Sequence, residues 1–184
     1  MKSNSKKRLF ILVECAIMVS LSFVLSLIKI WEMPFGGSIT LLSMLPVCMV
    51  SLRHGVKWGL GTAFVYSCTQ ALVSGAVGWG LSVTVLILCF LLDYILAFSA
   101  LGLAGVFGNC GFKRQVSGIF LACLIRFACH YISGVTIWSS GALDAGFASP
   151  YLYSLLYNGA YMLPETVFTC IGAVILLRKF NTKA

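Results

Sequence analysis

Asp93, Arg126, His130, Asn158 and Glu165 are polar or ionisable residues set inside long apolar stretches of this chain. A charge at such a position is expensive, and it is retained mainly for a functional site or a compensating partner. Arg126 and His130 stand at i and i+4, with Ser133 and Gly134 just beyond, so a single helix face carries all four. Asn158, Tyr161 and Glu165 stand at i, i+3 and i+7 and share a second face. If the two faces converge on Asp93, they form an acidic, hydrogen-bonding pocket. Either Asp93 or Glu165 can pair with Arg126, and one acid is then left over. Trp31, Trp79 and Trp138, followed by Tyr151, Tyr153 and Tyr157, add aromatic rings near the same end of the chain's apolar runs. Aromatic faces beside a carboxylate suit a flat cation; the competing reading is the ordinary Trp and Tyr belt of a membrane interface.

Other chemistries find little support. His54 and His130 fall at opposite ends of the expected membrane segments and cannot share a metal. The cysteines, Cys15, Cys48, Cys68, Cys89, Cys110, Cys123, Cys129 and Cys170, include no C-x-x-C pair. All but Cys110, which falls in an expected loop, lie in apolar runs and read as small membrane-tolerant residues. No phosphate-binding G-x-x-x-x-G-K-[ST] loop, H-E-x-x-H or G-x-S-x-G signature occurs. The expectation is a protein without ATPase or enzyme activity, without cofactor and without metal.

The elements that must position these residues follow from composition. Of 184 residues, 60% are hydrophobic and 10% charged, and the mean hydropathy is +0.99. A soluble domain of this size cannot bury so much apolar surface. The fold class expected is an all-α integral membrane protein, a single domain of six transmembrane helices with both termini cytoplasmic. The spans are expected at about 9–30, 39–52, 58–77, 82–107, 116–137 and 151–177. The first is too long for a signal-peptide core and is retained as a span. The second is short and contains Pro46, which suggests a tilted, kinked or partly re-entrant helix, and Pro164 suggests a kink in the sixth. No internal repeat is visible.

Orientation comes from the basic residues. Lys2, Lys6, Lys7, Arg8, Arg53, Lys57, Lys113, Arg114, Arg178, Lys179 and Lys183 all fall on one side, and only Lys29 and Arg126 of the 13 do not. The positive-inside rule makes that side cytoplasmic. The formal net charge of +8 is thus an orientation signal facing anionic lipid, not a nucleic-acid patch. At about 1.5 Å of rise per residue, His130 and Asn158 lie roughly 10 Å below the outer surface, and Asp93 and Arg126 roughly 16 Å. Glu14, about a turn into the first span, is expected to snorkel to the interface. Ala16 and Ser20 give that span a small-x-x-x-small spacing at which helix backbones approach closely.

Several stretches carry a family resemblance. They are Trp31 with Pro34 and Gly37-Ser38-Ile39, the run from Leu92 through Asp93 and Tyr94 to Phe98, the run Arg126 to Trp138, and the run Tyr153 to Gly159. These resemble the thiamine-specific substrate-binding subunits of energy-coupling factor transporters, and the likeness covers nearly the whole chain. The resemblance implies a bacterial cell-membrane protein of six helices that captures thiamine (vitamin B1) from outside, with a membrane scaffold subunit and two cytosolic ATPases supplying energy. It also implies that Trp138 and His130 wall the pocket and that Asp93, next to Tyr94, is the acidic partner. Tyr153 and Asn158 then hydrogen-bond the ligand, Trp31 covers the site from an outer loop, and Trp79 is a looser match. Ala16 and Ser20 occupy the positions that pack on the scaffold. Some relatives have Glu where this chain has Asp93, which shortens the reach by about one methylene. Rival readings are a subunit for another vitamin such as riboflavin or biotin, an intramembrane enzyme, and a structural membrane protein.

Overall fold

The computed structural model describes residues 2–108 and 111–181; Cys110 and Lys183, named above, lie outside the described residues. Helix α1 (Lys2–Leu27) leads into an antiparallel hairpin of β1 (Lys29–Glu32) and β2 (Ser38–Thr40), registered with Trp31 opposite Ile39 and Glu32 opposite Ser38. Further helices follow: α2 (Leu45–His54), α3 (Val56–Val73), a 3-10 turn at Ala76–Trp79, α4 (Val83–Gly105), α5 (Phe112–Thr136), α6 (Ser139–Asp144) and α7 (Pro150–Asn181).

The hairpin departs from the expected all-α fold, and its cause is local. Pro34 opens a single 3-10 turn that ends at Gly36, whose φ of 95° favours a residue without Cβ. The chain therefore reverses at once, and the first helix stops at Leu27 instead of running to residue 30. The segment expected as a second span, 39–52, is divided. Ile39 and Thr40 belong to β2, and α2 begins with Pro46 in its first turn, where the missing N–H costs no helical hydrogen bond. Gly55, at φ 86°, ends α2 and starts α3. At 10 residues, α2 is about 15 Å long, half of what a bilayer core requires. Leu45 through Leu52 are all buried, so this helix is enclosed by protein.

Among the described residues, four helices are long and apolar enough to cross a membrane: α1 from Ser5, α4, α5 and α7. They pack around α2. Met44, Val47 and Cys48 meet Tyr66 of α3, Leu101 of α4, Ile119 and Cys123 of α5, and Ala173 of α7 in one core. The outer faces remain apolar and open, with Phe10, Ile17, Leu72, Leu163 and Ile175 all well exposed. That arrangement suits a hydrocarbon solvent. Helix α7 continues through Pro164 to Asn181.

The basic ends also meet. Arg53 pairs with Glu14, and His54 Nε2 lies 2.9 Å from the same carboxylate. Glu14 is therefore corrected from a snorkelling residue to a partly buried ion-pair partner, with its side chain 11% exposed. At the same ends of the helices, the Arg178 guanidinium lies 5.5 Å from the centre of the Phe112 ring.

Close helix contact depends on missing side chains. A Cβ on Gly118 of α5 would stand 2.0 Å from the Ala104 carbonyl oxygen, and one on Gly105 would stand 2.3 Å from that of Ser51. The Ser51 hydroxyl uses the approach, donating to the Gly102 carbonyl (2.5 Å) and accepting from the Gly105 N–H (2.9 Å). Gly118→Ala is expected to destabilise the bundle by about 1–3 kcal/mol, the usual range for overpacking. Gly61→Ala, where a Cβ meets nothing within 4 Å, is expected to be neutral or slightly stabilising, since alanine is the better helix former. Thermal unfolding of the two variants in detergent checks the contrast.

Candidate functional site

A cavity of about 910 Å³ opens at the end of the bundle where α1 gives way to the hairpin. That is toward the upper end of the range for small-molecule sites. Its deepest charged residues come from three helices. Asp93 sits at the middle of a π-helical stretch, Phe90–Leu96, inside α4. Such a widened turn breaks the regular ladder and is common at functional sites. Arg126 and His130 come from α5 and Glu165 from α7, each at most 9% exposed.

Their pairing is definite. Arg126 Nη1 donates to Glu165 Oε2 (3.4 Å), and its guanidinium carbon lies 4.0 Å from the centre of the Phe98 ring. Glu165 Oε1 also accepts from the backbone N–H of Thr40 (3.1 Å) and from the Thr40 hydroxyl, which ties α7 to β2. Arg126 Nε donates to His130 Nε2 (3.4 Å). Because a guanidinium only donates, that imidazole nitrogen accepts and the ring proton sits on Nδ1. Nδ1 faces Asp93 Oδ1 at 3.1 Å. Asp93 Oδ2 accepts from the Ser133 hydroxyl (2.5 Å) and the Trp138 indole N–H (3.2 Å). Three neutral donors orient the Asp93 carboxylate without cancelling its charge.

At the rim, Lys29 and Glu32 pair with each other across one strand, and both line the cavity. Counted over the described lining residues, the charges cancel in two pairs, Arg126 with Glu165 and Lys29 with Glu32. Asp93 alone is left. Aromatic rings surround it: Trp79 meets Trp138 edge to face at 5.6 Å, Tyr94 stacks on Phe98 at 6.4 Å, and Tyr153 stacks on Tyr157 at 5.7 Å. The arrangement offers one negative charge, ring faces and hydrogen-bonding groups to a flat monocation.

Trp79, Asp93, Tyr94, His130, Trp138, Tyr153 and Asn158 all line this cavity. Trp31 does not; it lies on β1 with 54% of its surface exposed. The Asn158 amide is already engaged. Its nitrogen donates to the His130 carbonyl (3.2 Å) and the Ser154 carbonyl (3.0 Å), and its oxygen accepts from Tyr161 (2.9 Å). It therefore ties α5 to α7 at the cavity wall. Ala16 and Ser20 lie exposed on α1, the Ser20 hydroxyl donating to the Ala16 carbonyl (2.9 Å).

Other lining residues escaped sequence reading. Tyr66 and Gln70 of α3 reach the cavity, with the Gln70 amide donating to Ser26 (2.9 Å). Gln70, an amide inside the expected span 58–77, carries the same signal as Asn158 and could have been found by it; Tyr66 has no charge to mark it. Tyr157 was read as part of an aromatic belt, but its hydroxyl accepts from the Gly37 N–H (3.1 Å) and donates to the Pro34 carbonyl, holding the hairpin turn against α7. The hairpin itself had to be known before that contact could be inferred.

Comparison with known proteins gives concordant results. The family described as "Thiamine transporter protein" matches residues 12–184. The chain is similar to "Thiamine transporter ThiT" of Bacillus subtilis (strain 168), at 34% identity over 97% of this chain and 94% of that protein. It is also similar to the protein of the same name from Lacticaseibacillus paracasei, at 24% identity over 97% and 98%. Among solved structures, ThiT from Listeria monocytogenes superposes with a TM-score of 0.74 at 27% identity, covering 94% of this chain and 96% of that one.

The pairing generates a stability test. Glu165→Ala leaves Arg126 without its carboxylate in a buried setting and is expected to cost about 3–5 kcal/mol. Glu165→Gln, which retains an acceptor for Thr40, is expected to cost less. Unfolding in detergent, followed by loss of helical signal, measures both.

Proposed function

The chain belongs to the thiamine transporter protein family, and from that premise we propose that it binds thiamine in the cavity around Asp93. It is a multi-pass protein of the cell membrane with a transport function and not a catalytic one. The finer reading is that it captures thiamine from the outer side as the binding subunit of an energy-coupling factor importer. A membrane scaffold subunit, which Ala16 and Ser20 would meet, and two cytosolic ATPases complete that machine. Both termini then lie in the cytoplasm and the chain crosses six times, the segment from β2 through the protein-enclosed α2 making the short second crossing and α3 the third.

The observation that carries the ligand assignment is the uncompensated carboxylate. Thiamine is a monocation with a flat thiazolium ring and an aminopyrimidine that donates and accepts hydrogen bonds. Asp93 can meet the cationic ring or the amino group by exchanging one of its three present donors for the ligand. Trp138, Trp79 and Tyr94 supply ring faces, while His130, Tyr153 and the Asn158 cluster supply polar edges. Water leaves the cavity when the vitamin enters, so the attraction between carboxylate and cation operates in a low dielectric, where it is strongest. Riboflavin carries no fixed positive charge and biotin carries a carboxylate, so both would leave Asp93 buried against an unsuitable partner. Uphill uptake needs energy, and no phosphate-binding loop occurs in this sequence, which favours ATPases on separate chains.

Asp93→Asn is expected to weaken thiamine binding by about 30-fold or more, the loss typical when one member of a desolvated charge pair is removed. Glu14→Gln, at the other end of α1, is expected to leave affinity within about twofold. A tryptophan-fluorescence titration with thiamine, riboflavin and biotin side by side measures both; equal effects of the two substitutions contradict the role given to Asp93. Active transport by the purified chain in vesicles without ATPase partners contradicts the subunit assignment.

A further inference from the structure

A second cleft, of about 430 Å³, lies at the far end of the bundle and is lined by Lys7, Arg8, Ile11, Arg53, His54 and Trp58. Ser26, near the other end of α1, lines the large cavity. Along the helix the two sites are thus separated by roughly 27 Å. Three permanent cations, Lys7, Arg8 and Arg53, line this second cleft. Glu14 holds Arg53 and His54 in place, and no ion pair engages Lys7 or Arg8 among the described residues. The cleft consequently carries surplus positive charge on two long, adjustable side chains, above a base that is already neutralised.

Its floor is apolar. Ile11 packs with Cys15 and Val50, and Trp58 lies against that cluster. Directly beside the cleft α1 turns outward with Leu9, Phe10, Leu12 and Val13, each more than half exposed. Phe10 follows Lys7 by three residues and Ile17 follows Phe10 by seven, so both, well exposed, continue the Lys7 side of α1 toward the bilayer. A small soluble anion needs only the cations. A ligand with a phosphodiester head and hydrocarbon tails uses the cations, the indole and the apolar face together.

We infer that this cleft binds the head group of an anionic phospholipid, with Lys7 and Arg8 on the phosphate and the acyl chains along the exposed side of α1 that carries Phe10 and Ile17, off the Ala16–Ser20 face. The lipid would fix the depth of α1 at the membrane surface opposite the thiamine cavity. This site is independent of the vitamin assignment and can fail or stand without it.

The test uses the full chain in detergent, titrated separately with phosphatidylglycerol, phosphatidylcholine and sodium phosphate, with native mass spectrometry and thermal unfolding as readouts. Phosphatidylglycerol is expected to bind saturably and raise Tm, with the other two inactive at the same concentration. The double variant K7Q/R8Q is expected to weaken phosphatidylglycerol binding about tenfold or more, while thiamine affinity stays within about twofold and certifies the fold. An equal response to phosphatidylcholine, or to phosphate, overturns the lipid assignment. Unchanged phosphatidylglycerol binding by K7Q/R8Q overturns it as well. So does protection of Lys7 from acylation by an added partner subunit but not by phosphatidylglycerol, since the cleft would then be a protein interface.

Discussion

Among the described residues, the cations lining the cavity are Lys29 at the rim, paired with Glu32, and Arg126, while Asp93 and Glu165 both line its interior. A guanidinium neutralises one acid, and the geometry gives it to Glu165, which is fixed further by the backbone and hydroxyl of Thr40. Asp93 is left to neutral donors from His130, Ser133 and Trp138. That allocation determines the sign of the cavity. Had Asp93 taken Arg126, the surplus charge would sit on Glu165, which bonds Thr40 of β2, and not on the acid that bonds Trp138. With the allocation observed, the surplus charge faces the rings.

The rest of the fold can be understood as support for that allocation. The π-helical turn of α4 displaces the backbone around Asp93 and aims it at α5. Asn158 clamps α5 to α7 at the His130 carbonyl. Glu165 and Tyr157 together pin the hairpin to α7 at two heights, so the strand pair is fastened to the same helix that neutralises Arg126. Close glycine contacts between α4 and its neighbours, at Gly102, Gly105 and Gly118, bring α3 and α5 near enough for their polar faces to meet. A helix bundle in lipid has no hydrophobic pressure between its helices, and such small-residue contacts provide the packing instead.

Much of this was legible in the sequence because membrane insertion makes polar residues conspicuous. Asp93, Arg126, His130, Asn158 and Glu165 stand out against apolar neighbours, and helical spacing predicts which share a face. The long helices follow from uninterrupted apolar runs. What was not legible has physical reasons too. The hairpin interrupts a run that reads as helix, and only the Pro34 to Gly37 turn betrays it. Helix α2 looks like a short span, yet an apolar segment enclosed by protein and one facing lipid have the same composition. Glu14 sits where a snorkelling residue would, and its actual partners, Arg53 and His54, come from 39 and 40 residues further along the chain. Trp31 is expected on a covering loop; it stands on β1, whose residues are all exposed, and its ring is outside the cavity lining. Which acid takes Arg126 depends on side-chain geometry that spacing alone does not encode.

The most direct measurement is a crystal structure of this chain with thiamine bound. The account predicts the vitamin in the cavity between α4, α5 and α7, with its thiazolium or amino group on the Asp93 carboxylate, an indole face of Trp138 or Trp79 against a ring, and the Arg126–Glu165 pair intact. Thiamine seated elsewhere, or in the cavity with Asp93 untouched and Glu165 released from Arg126 to meet the ligand, would contradict it.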